Sequence, residues 1–351
     1  MAEPVRCGVI GLGLMGSVHA NILNGMGRAD LAVCCDIDPA AAERCPEGAR
    51  FTDDYHDLLS EPGLKAVVVA TPEHLHREPV VAALEAGLHV FCEKPIAATP
   101  EDADAMIAAE KATGRLLVIG HVLRFDPRYA HVHQAVASGT LGQAIHTVTR
   151  RSSSYAEGRN LVGRTTLPLY LSIHDIDVLQ WILGARITRI QAETSSFRMA
   201  DVDSHDTVGA LFRFDDGSVS LHETSWALPD QAGLAFGDYY FSYVGTRGCA
   251  YIELRDQNII VFGGGEPDES DSQPAWTSGG GGTFSYPEMT YMPEVMGIPS
   301  GIYMAQLDHF LLAATDGRSP AITTEEARSA LVATLALEQA AATGLPVDVT
   351  N

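Results

Sequence analysis

Apolar residues in the first 120 or so positions fall in short β-branched runs separated by longer stretches with helical spacing. VRCGVIGLG, LAVCCD, AVVVAT, HVFCEKP and LLVIGH read as buried strands, with helical patterns over 21–26, 78–86 and 100–113 between them. Strands alternating with helices predict a parallel sheet wrapped on both faces. After about residue 123 the period changes. A helix over 172–183 is followed by RITRIQAETSSF, DTVGALFRF, GSVSLHETSW, YYFSYVG and CAYIELRD, with glycine turns such as DDGS and TRGC beside several of them. Polar and apolar residues alternate there, which predicts a mostly antiparallel sheet. GGGEPDESDSQPAWTSGGGG, residues 263–282, reads as a long loop or flap. Helical patterns over 302–315 and 324–343 close the chain.

At 351 residues the chain exceeds what one core usually fills, so two domains are expected. The formal charge of −22 argues against nucleic acid or an anionic membrane as partner, since both require positive charge. The start, MAEPVRCGVI, lacks a basic region followed by a long apolar core, and no apolar run approaches the roughly 18 residues that span a bilayer. The six cysteines form no CxxC pair, and Cys7, Cys34, Cys35 and Cys92 sit in strand-like runs, as buried reduced thiols do. A cytoplasmic location follows from these features.

The fingerprint GxGxxG appears once in a meaningful place. GLGLMG supplies Gly11, Gly13 and Gly16, with Leu14 and Met15 inside it, after a strand and at the start of a helix. In that context the glycines allow a tight turn, close approach of a pyrophosphate, and helix–sheet packing, while the helix N-terminus offers N–H groups to phosphate. Asp36 closes the second strand 20 residues after Gly16, the spacing at which an acid takes the ribose hydroxyls of adenosine; Ile37 follows it. A turn-forming role in CDIDP is the plainer alternative. Asp38 adds negative charge and no arginine appears before Arg44, so NAD is favoured over NADP.

Taken together, GVIGLGLMGSVHA, DIDP, ATPEHLH, AGLHVFCEKPIA, GHVLRFDPRY and HDIDVLQWILG resemble the Gfo/Idh/MocA family of oxidoreductases in order and spacing. The resemblance implies an α/β Rossmann domain over residues 1–122 and an α+β domain over 123–351 with a large open sheet, the final helix packing back near the first domain. It implies homodimers or homotetramers through that sheet. Lys94, one of only three lysines, matches the family's EKP lysine beside nicotinamide and substrate, with Glu93 before it and a cis peptide at Pro95. A desolvated lysine there can share a proton near neutral pH. His174 matches the catalytic histidine, with Asp177 three residues on. Relatives commonly carry aspartate where this chain has Tyr170, so Lys94 lacks its usual carboxylate unless Asp177 or Asp175 compensates. Ala70, Thr71 and Pro72 are expected to line the nicotinamide side, with His76 near the cofactor. Arg124 is expected either to reach substrate or cofactor or to form an ion pair at the domain junction. The HxH spacings His74/His76 and His131/His133 aim their side chains to different faces of a helix and have no evident third ligand, so no metal is expected.

These features predict an NAD-dependent dehydrogenase acting on a ring hydroxyl of a sugar, sugar derivative or inositol. Two other readings share the cofactor site: a glycoside-processing enzyme that oxidises transiently without net NADH, and a non-catalytic dinucleotide-binding regulator.

Overall fold

Alternate side chains of the first strand, β1 (Val5–Ile10), serve two different cores: Cys7 and Val9 join one apolar cluster and Ile10 the other. Burial on both faces is what a parallel strand between helices requires. The computed structural model describes the chain except for residues 1–2, 203, 231–236, 254–260, 264–282, 286–289, 292, 296–297 and 351. The loop expected over 263–282 therefore lies, apart from Gly263, outside the described residues.

Strands β2 (Ala29–Cys35), β3 (Arg50–Thr52), β4 (Ala66–Val69), β5 (His89–Cys92) and β6 (Leu117–Ile119) complete a six-stranded parallel sheet in the order β3-β2-β1-β4-β5-β6. Between them run α1 (Leu14–Gly25), α2 (Tyr55–Leu59), α3 (Arg77–Glu85) and α4 (Pro100–Thr113). The strand order reverses between β1 and β4, and a crevice opens at the carboxyl ends of strands beside such a reversal. β3 and α2 are too short to show a hydrophobic period, which is why the sequence pattern does not announce them.

The second layer contains α5 (Pro127–Ala137), β7 (Ala144–Ser154), α6 (Tyr155–Leu161), a π-helical turn over Pro168–Ser172, and α7 (Ile173–Leu183). Its strands continue with β8 (Ile187–Ser195), β9 (Thr207–Phe214), β10 (Val219–Leu228), β11 (Asp238–Gly245) and β12 (Cys249–Glu253). Two short ribbons follow, β13 (Val261–Gly263) with β14 (Thr283–Ser285) and β15 (Glu294–Val295) with β16 (Ile298–Pro299). Helices α8 (Ile302–Asp316) and α9 (Thr324–Thr343) precede the edge strand β17 (Val347–Asp348). The sheet runs β12-β11-β7-β10-β9-β8-β17; β7 pairs parallel with β10, and the other pairs are antiparallel. β7 is central, yet no alternation marks it. Its buried side carries Thr147, Thr149, Arg151 and Ser153 instead of apolar residues.

The last helices return to the first sheet. Leu307, Phe310 and Leu311 of α8 share a core with Val9 and Val68, and the Phe310 ring lies 5.8 Å from that of Phe91. Helix α9 is divided lengthwise: Ala327 and Leu331 pack on the first sheet, Ala330, Ala333 and Leu337 on the second.

Where β6 leaves the first sheet, Arg124 turns into the junction and meets Asp177 of α7. Its Nε donates to Oδ2 at 3.0 Å and a terminal nitrogen donates to Oδ1 at 2.6 Å. Its other terminal nitrogen donates to the Ala321 carbonyl and to Glu326, both at 3.1 Å. Arg124 and Asp177 are 5% and 1% exposed, so neither charge has water to fall back on. Arg124→Ala is expected to cost about 3–5 kcal/mol in urea unfolding, because it strands a buried carboxylate. Arg124→Met combined with Asp177→Leu should recover most of that loss. A single variant within about 1 kcal/mol of the parent, the usual size of an exposed pair, would show that the charges are solvated.

Candidate active site

The crevice at the carboxyl ends of β1 and β4 is shaped by glycine. Gly11 has φ +89°, and a Cβ there would stand 2.8 Å from the Ala70 carbonyl oxygen; a Cβ at Gly16 would run into the Gly11 carbonyl. A Cβ at Gly13 would meet nothing within 4 Å, so this turn faces open space at the start of α1. Leu14 and Met15 form the first turn of that helix, Leu14 being 76% exposed. Gly11, Gly13, Asp36, Ile37, Ala70, Thr71 and Pro72 line one cavity of about 290 Å3. The Asp36 carboxylate is held at its rim by two backbone amides, Leu12 N–H to Oδ2 at 2.7 Å and Asp38 N–H to Oδ1 at 2.9 Å. The Thr71 hydroxyl is buried without a hydrogen-bond partner among the described residues. An open glycine turn at a helix N-terminus, a carboxylate at the second strand's end and an orphaned donor fit an adenine dinucleotide. One arginine is nearer than its sequence distance suggests. The turn over Pro39–Arg44 folds back, and Arg44 Nε donates to the Leu12 carbonyl at 2.7 Å.

Glu93 and Lys94 stand just beyond the end of β5, the strand next to β4 in the sheet. Glu93 is buried; burial alone would raise its carboxyl, but the His19 hydrogen bond and the Lys94 charge outweigh that and hold it below its usual range. His19 Nε2 donates to Oε1 at 2.6 Å, and the Lys94 backbone N–H donates to Oε2 at 3.0 Å. The Lys94–Pro95 peptide is cis. His76 links the two neighbouring loops, its Nε2 lying 2.8 Å from the Thr71 carbonyl and its Nδ1 3.1 Å from the Pro95 carbonyl. That role, beside Thr71, places it next to the cofactor cavity rather than in a metal site. Among the described residues no three metal-ligating side chains gather.

The Lys94 ammonium crosses to the second layer, where Nζ donates to the Tyr170 carbonyl at 2.9 Å and sits 4.6 Å from the centre of the Tyr170 ring. Desolvation lowers its pKa, against the raising charges of Glu93, Glu73 and Glu157. His174 follows one turn later, at the start of α7. Burial, then the charges of Lys94, Arg151 and His121, press its imidazole well below the ordinary histidine value, and its Nδ1 has no hydrogen-bond partner. The structure thus brings together Lys94, Tyr170 and His174 from two layers, beside the cofactor crevice.

Asp177 is placed elsewhere. A three-residue step on a helix leaves two side chains about 60° apart, and here that offset sends Asp177 to Arg124. Asp175 is likewise occupied, accepting from Arg151 Nε at 2.9 Å. Neither takes the position opposite Lys94, so the expected compensation does not come from α7. Arg124 adopts the junction ion pair rather than a reach into the crevice. The Tyr170 hydroxyl turns from Lys94 and donates to Glu157 Oε1 at 2.8 Å.

Several neighbours carried no readable signal. His121, 1% exposed, has neither ring nitrogen hydrogen-bonded and lies 3.8 Å from Asp177. His222 joins Thr149 Oγ1 at 2.8 Å to Ser172 Oγ at 2.9 Å, and burial lowers it to about 4, which keeps this chain beneath α7 uncharged at neutral pH. Glu157 did have a signal, but for another job: SxxE at Ser154–Glu157 is a helix-capping pattern.

Comparison with known proteins follows the same outline. Residues 5–121 match the model described as an oxidoreductase family with an NAD-binding Rossmann fold, and residues 129–251 match the GFO/IDH/MocA C-terminal domain. The scyllo-inositol 2-dehydrogenase (NAD(+)) of Bacillus subtilis strain 168 is 26% identical over 357 residues, covering 99% of this chain and 97% of that protein. Inositol 2-dehydrogenase 1 of Saccharopolyspora erythraea is 36% identical over 276 residues, covering 75% and 78%. A crystal structure of scyllo-inositol dehydrogenase from Lactobacillus casei, with bound NAD(H) and scyllo-inositol, shares the fold at a TM-score of 0.83 and 23% identity, covering 99% and 100%.

With Asp36 fixed where a ribose 2′-phosphate would sit, NAD should bind at least about tenfold more tightly than NADP, or 1.4 kcal/mol. Asp36→Ala is expected to narrow the gap, since it removes one of the two acids at this end, Asp36 and Asp38, and leaves Arg44 in place. Equal titration of the parent protein by both dinucleotides would refute this.

Proposed function

The chain belongs to the GFO/IDH/MocA family of oxidoreductases, and from that premise we propose that it oxidises a ring hydroxyl of an inositol or a related sugar with NAD. The observation that carries the reading is the meeting of Lys94 and His174, each from a different layer, beside a dinucleotide crevice. The similarity to two inositol 2-dehydrogenases supports the substrate class.

Gly11, Gly13 and Gly16, with Leu14 and Met15 in the first turn of α1, hold the pyrophosphate; Asp36 and Ile37 hold the adenosine end. Ala70, Thr71, Pro72 and His76 border the nicotinamide end. When bound, NAD supplies the acceptor for the hydride that leaves the carbinol carbon. The protein's part is the proton. Among the described residues Lys94 Nζ has one hydrogen bond, so the ammonium keeps donors for a substrate hydroxyl. His174 is neutral at neutral pH and receives the hydroxyl proton as the carbonyl forms. Both groups are partly buried, which strengthens their mutual influence relative to open water.

We assign residues 1–122 to cofactor binding and 123–351 to substrate binding, with α8 and α9 completing both cores. The outer face of the second sheet exposes Leu211 and Leu221, 44% and 56% exposed, and we assign this face to a homodimer or homotetramer contact. No helix among the described residues is long and apolar enough to cross a membrane. We place the enzyme in the cytoplasm, where the buried free thiols Cys7, Cys34, Cys35 and Cys92 stay reduced.

NADH formation across a panel of inositols, aldoses and glycosides tests the reaction; no NADH from any free polyol or sugar would refute it. On the best substrate His174→Ala should lower kcat by roughly 10²–10⁴-fold while leaving NAD affinity little changed. Because His174 is lowered, protonation that silences it occurs only below its ordinary value. The acid limb of kcat/KM should therefore lie below pH about 6.5. A limb above that would remove His174 as the base.

A further inference from the structure

The carboxylate that faces Lys94 from the second layer comes from α6, not α7. Helix α6 begins at Ser154, whose hydroxyl accepts from the Glu157 N–H at 3.2 Å. In a complete capping box the glutamate would answer by accepting from the Ser154 N–H, as Glu326 does for Thr323 at 2.9 Å. Glu157 forgoes that bond. Among the described residues its one side-chain hydrogen bond is with the Tyr170 hydroxyl, across 13 residues and the loop between them. Tyr170 meanwhile gives Lys94 its carbonyl and its ring face.

We propose that Tyr170 and Glu157 together form the seat of the Lys94 ammonium: Tyr170 holds it from two sides, and Glu157, anchored on the Tyr170 hydroxyl, supplies the negative charge from the substrate layer. Glu157 is thus a positioning residue acting through Tyr170. Other charges also act on Lys94. Glu93 adjoins it, Glu73 stands in the turn after β4, and Arg151 of β7 opposes them; His121 and His174 face it from the end of β6 and from α7. Arg151 is committed to Asp175 and Glu93 to His19, and Glu157 is the acid of this group hydrogen-bonded to the tyrosine whose carbonyl and ring hold Lys94. Tyr170 itself stays protonated, because burial and the Glu157 charge both raise its phenol.

The inference rests on Lys94 being the functional lysine, but its test does not require turnover. With three lysines in the chain, trace acetylation followed by mass spectrometry reads the titration of Lys94 against Lys65 and Lys111 as internal references. Only the neutral amine reacts, so loss of a stabilising negative charge speeds labelling. Glu157→Gln, which keeps shape and hydrogen-bonding capacity, should lower the Lys94 midpoint by about half to one pH unit, a roughly 3- to 10-fold faster reaction near neutral pH. Tyr170→Phe, which unties Glu157 without removing the ring, should shift it the same way, and the double variant no further than Glu157→Gln alone. If Glu157 merely props α6, Lys94 in both single variants will label as in the parent, and the proposal fails. The alkaline limb of kcat/KM on the active polyol, where the Lys94 ammonium is lost, separates this from the function itself. Faster labelling with an unmoved alkaline limb keeps Glu157 as the seat and removes the ammonium from the substrate-binding role of Lys94.

Discussion

Arg124 and Asp177 join the two layers through a buried ion pair closed by two hydrogen bonds. Arg124 leaves the last strand of the first sheet, and Asp177 rides on the helix that carries His174. The distance between the cofactor crevice and that histidine is therefore set by two short hydrogen bonds in a dry junction, not by the looser packing around it. A buried pair of this kind adds little net stability over apolar residues of equal size. What it supplies is registry: the helix cannot slide or rotate without stranding a charge. Glu326 of α9 adds a third party to the same guanidinium, so the carboxyl-terminal helix is registered by it as well.

The acids around the site are divided among fixed duties. Glu93 steadies the turn that presents Lys94, Asp175 neutralises Arg151 in the second layer, and Asp177 closes the junction. In a protein with 45 acidic residues, what matters near Lys94 is which carboxylates remain uncommitted. Desolvation pushes the lysine toward neutrality and the remaining acids push it back, and a group balanced in this way exchanges protons readily. His174 is pressed down by burial and then by the neighbouring cations, and Lys94 is likewise lowered by desolvation, so both shifts run the same way in one neighbourhood.

The two layers, their strand types and the dinucleotide crevice were legible in the sequence because each rests on a local rule. Buried parallel strands read as continuous apolar runs, half-exposed antiparallel ones alternate, and a glycine fingerprint after a strand has one geometric meaning. The central strand β7 was not legible, since its inward residues are polar, and two of them, Arg151 and Thr149, find partners in Asp175 and His222 that lie far along the chain. The same reason hid the site's finer wiring. Spacing along α7 put His174 and Asp177 on one face, but it could not say that an arginine from another layer would claim the acid. The capping pattern at Ser154–Glu157 was visible, yet the carboxylate's destination depends on how the turn over Pro168–Ser172 brings Tyr170 overhead. Local propensity was readable; long-range pairing of polar groups was not.

The return of α8 and α9 also dictates when the protein can fold during synthesis. Val9, Val68 and Phe91 emerge from the ribosome early, but the side chains that cover them, Leu307, Phe310 and Leu311, are among the last to be made. Until then one face of the parallel sheet is open to water and to other nascent chains. A fragment ending at the junction between the layers would carry the same exposed face permanently. Closure of that face is thus coupled to the synthesis of α8, more than 200 residues after β5, the last of the three strands it covers.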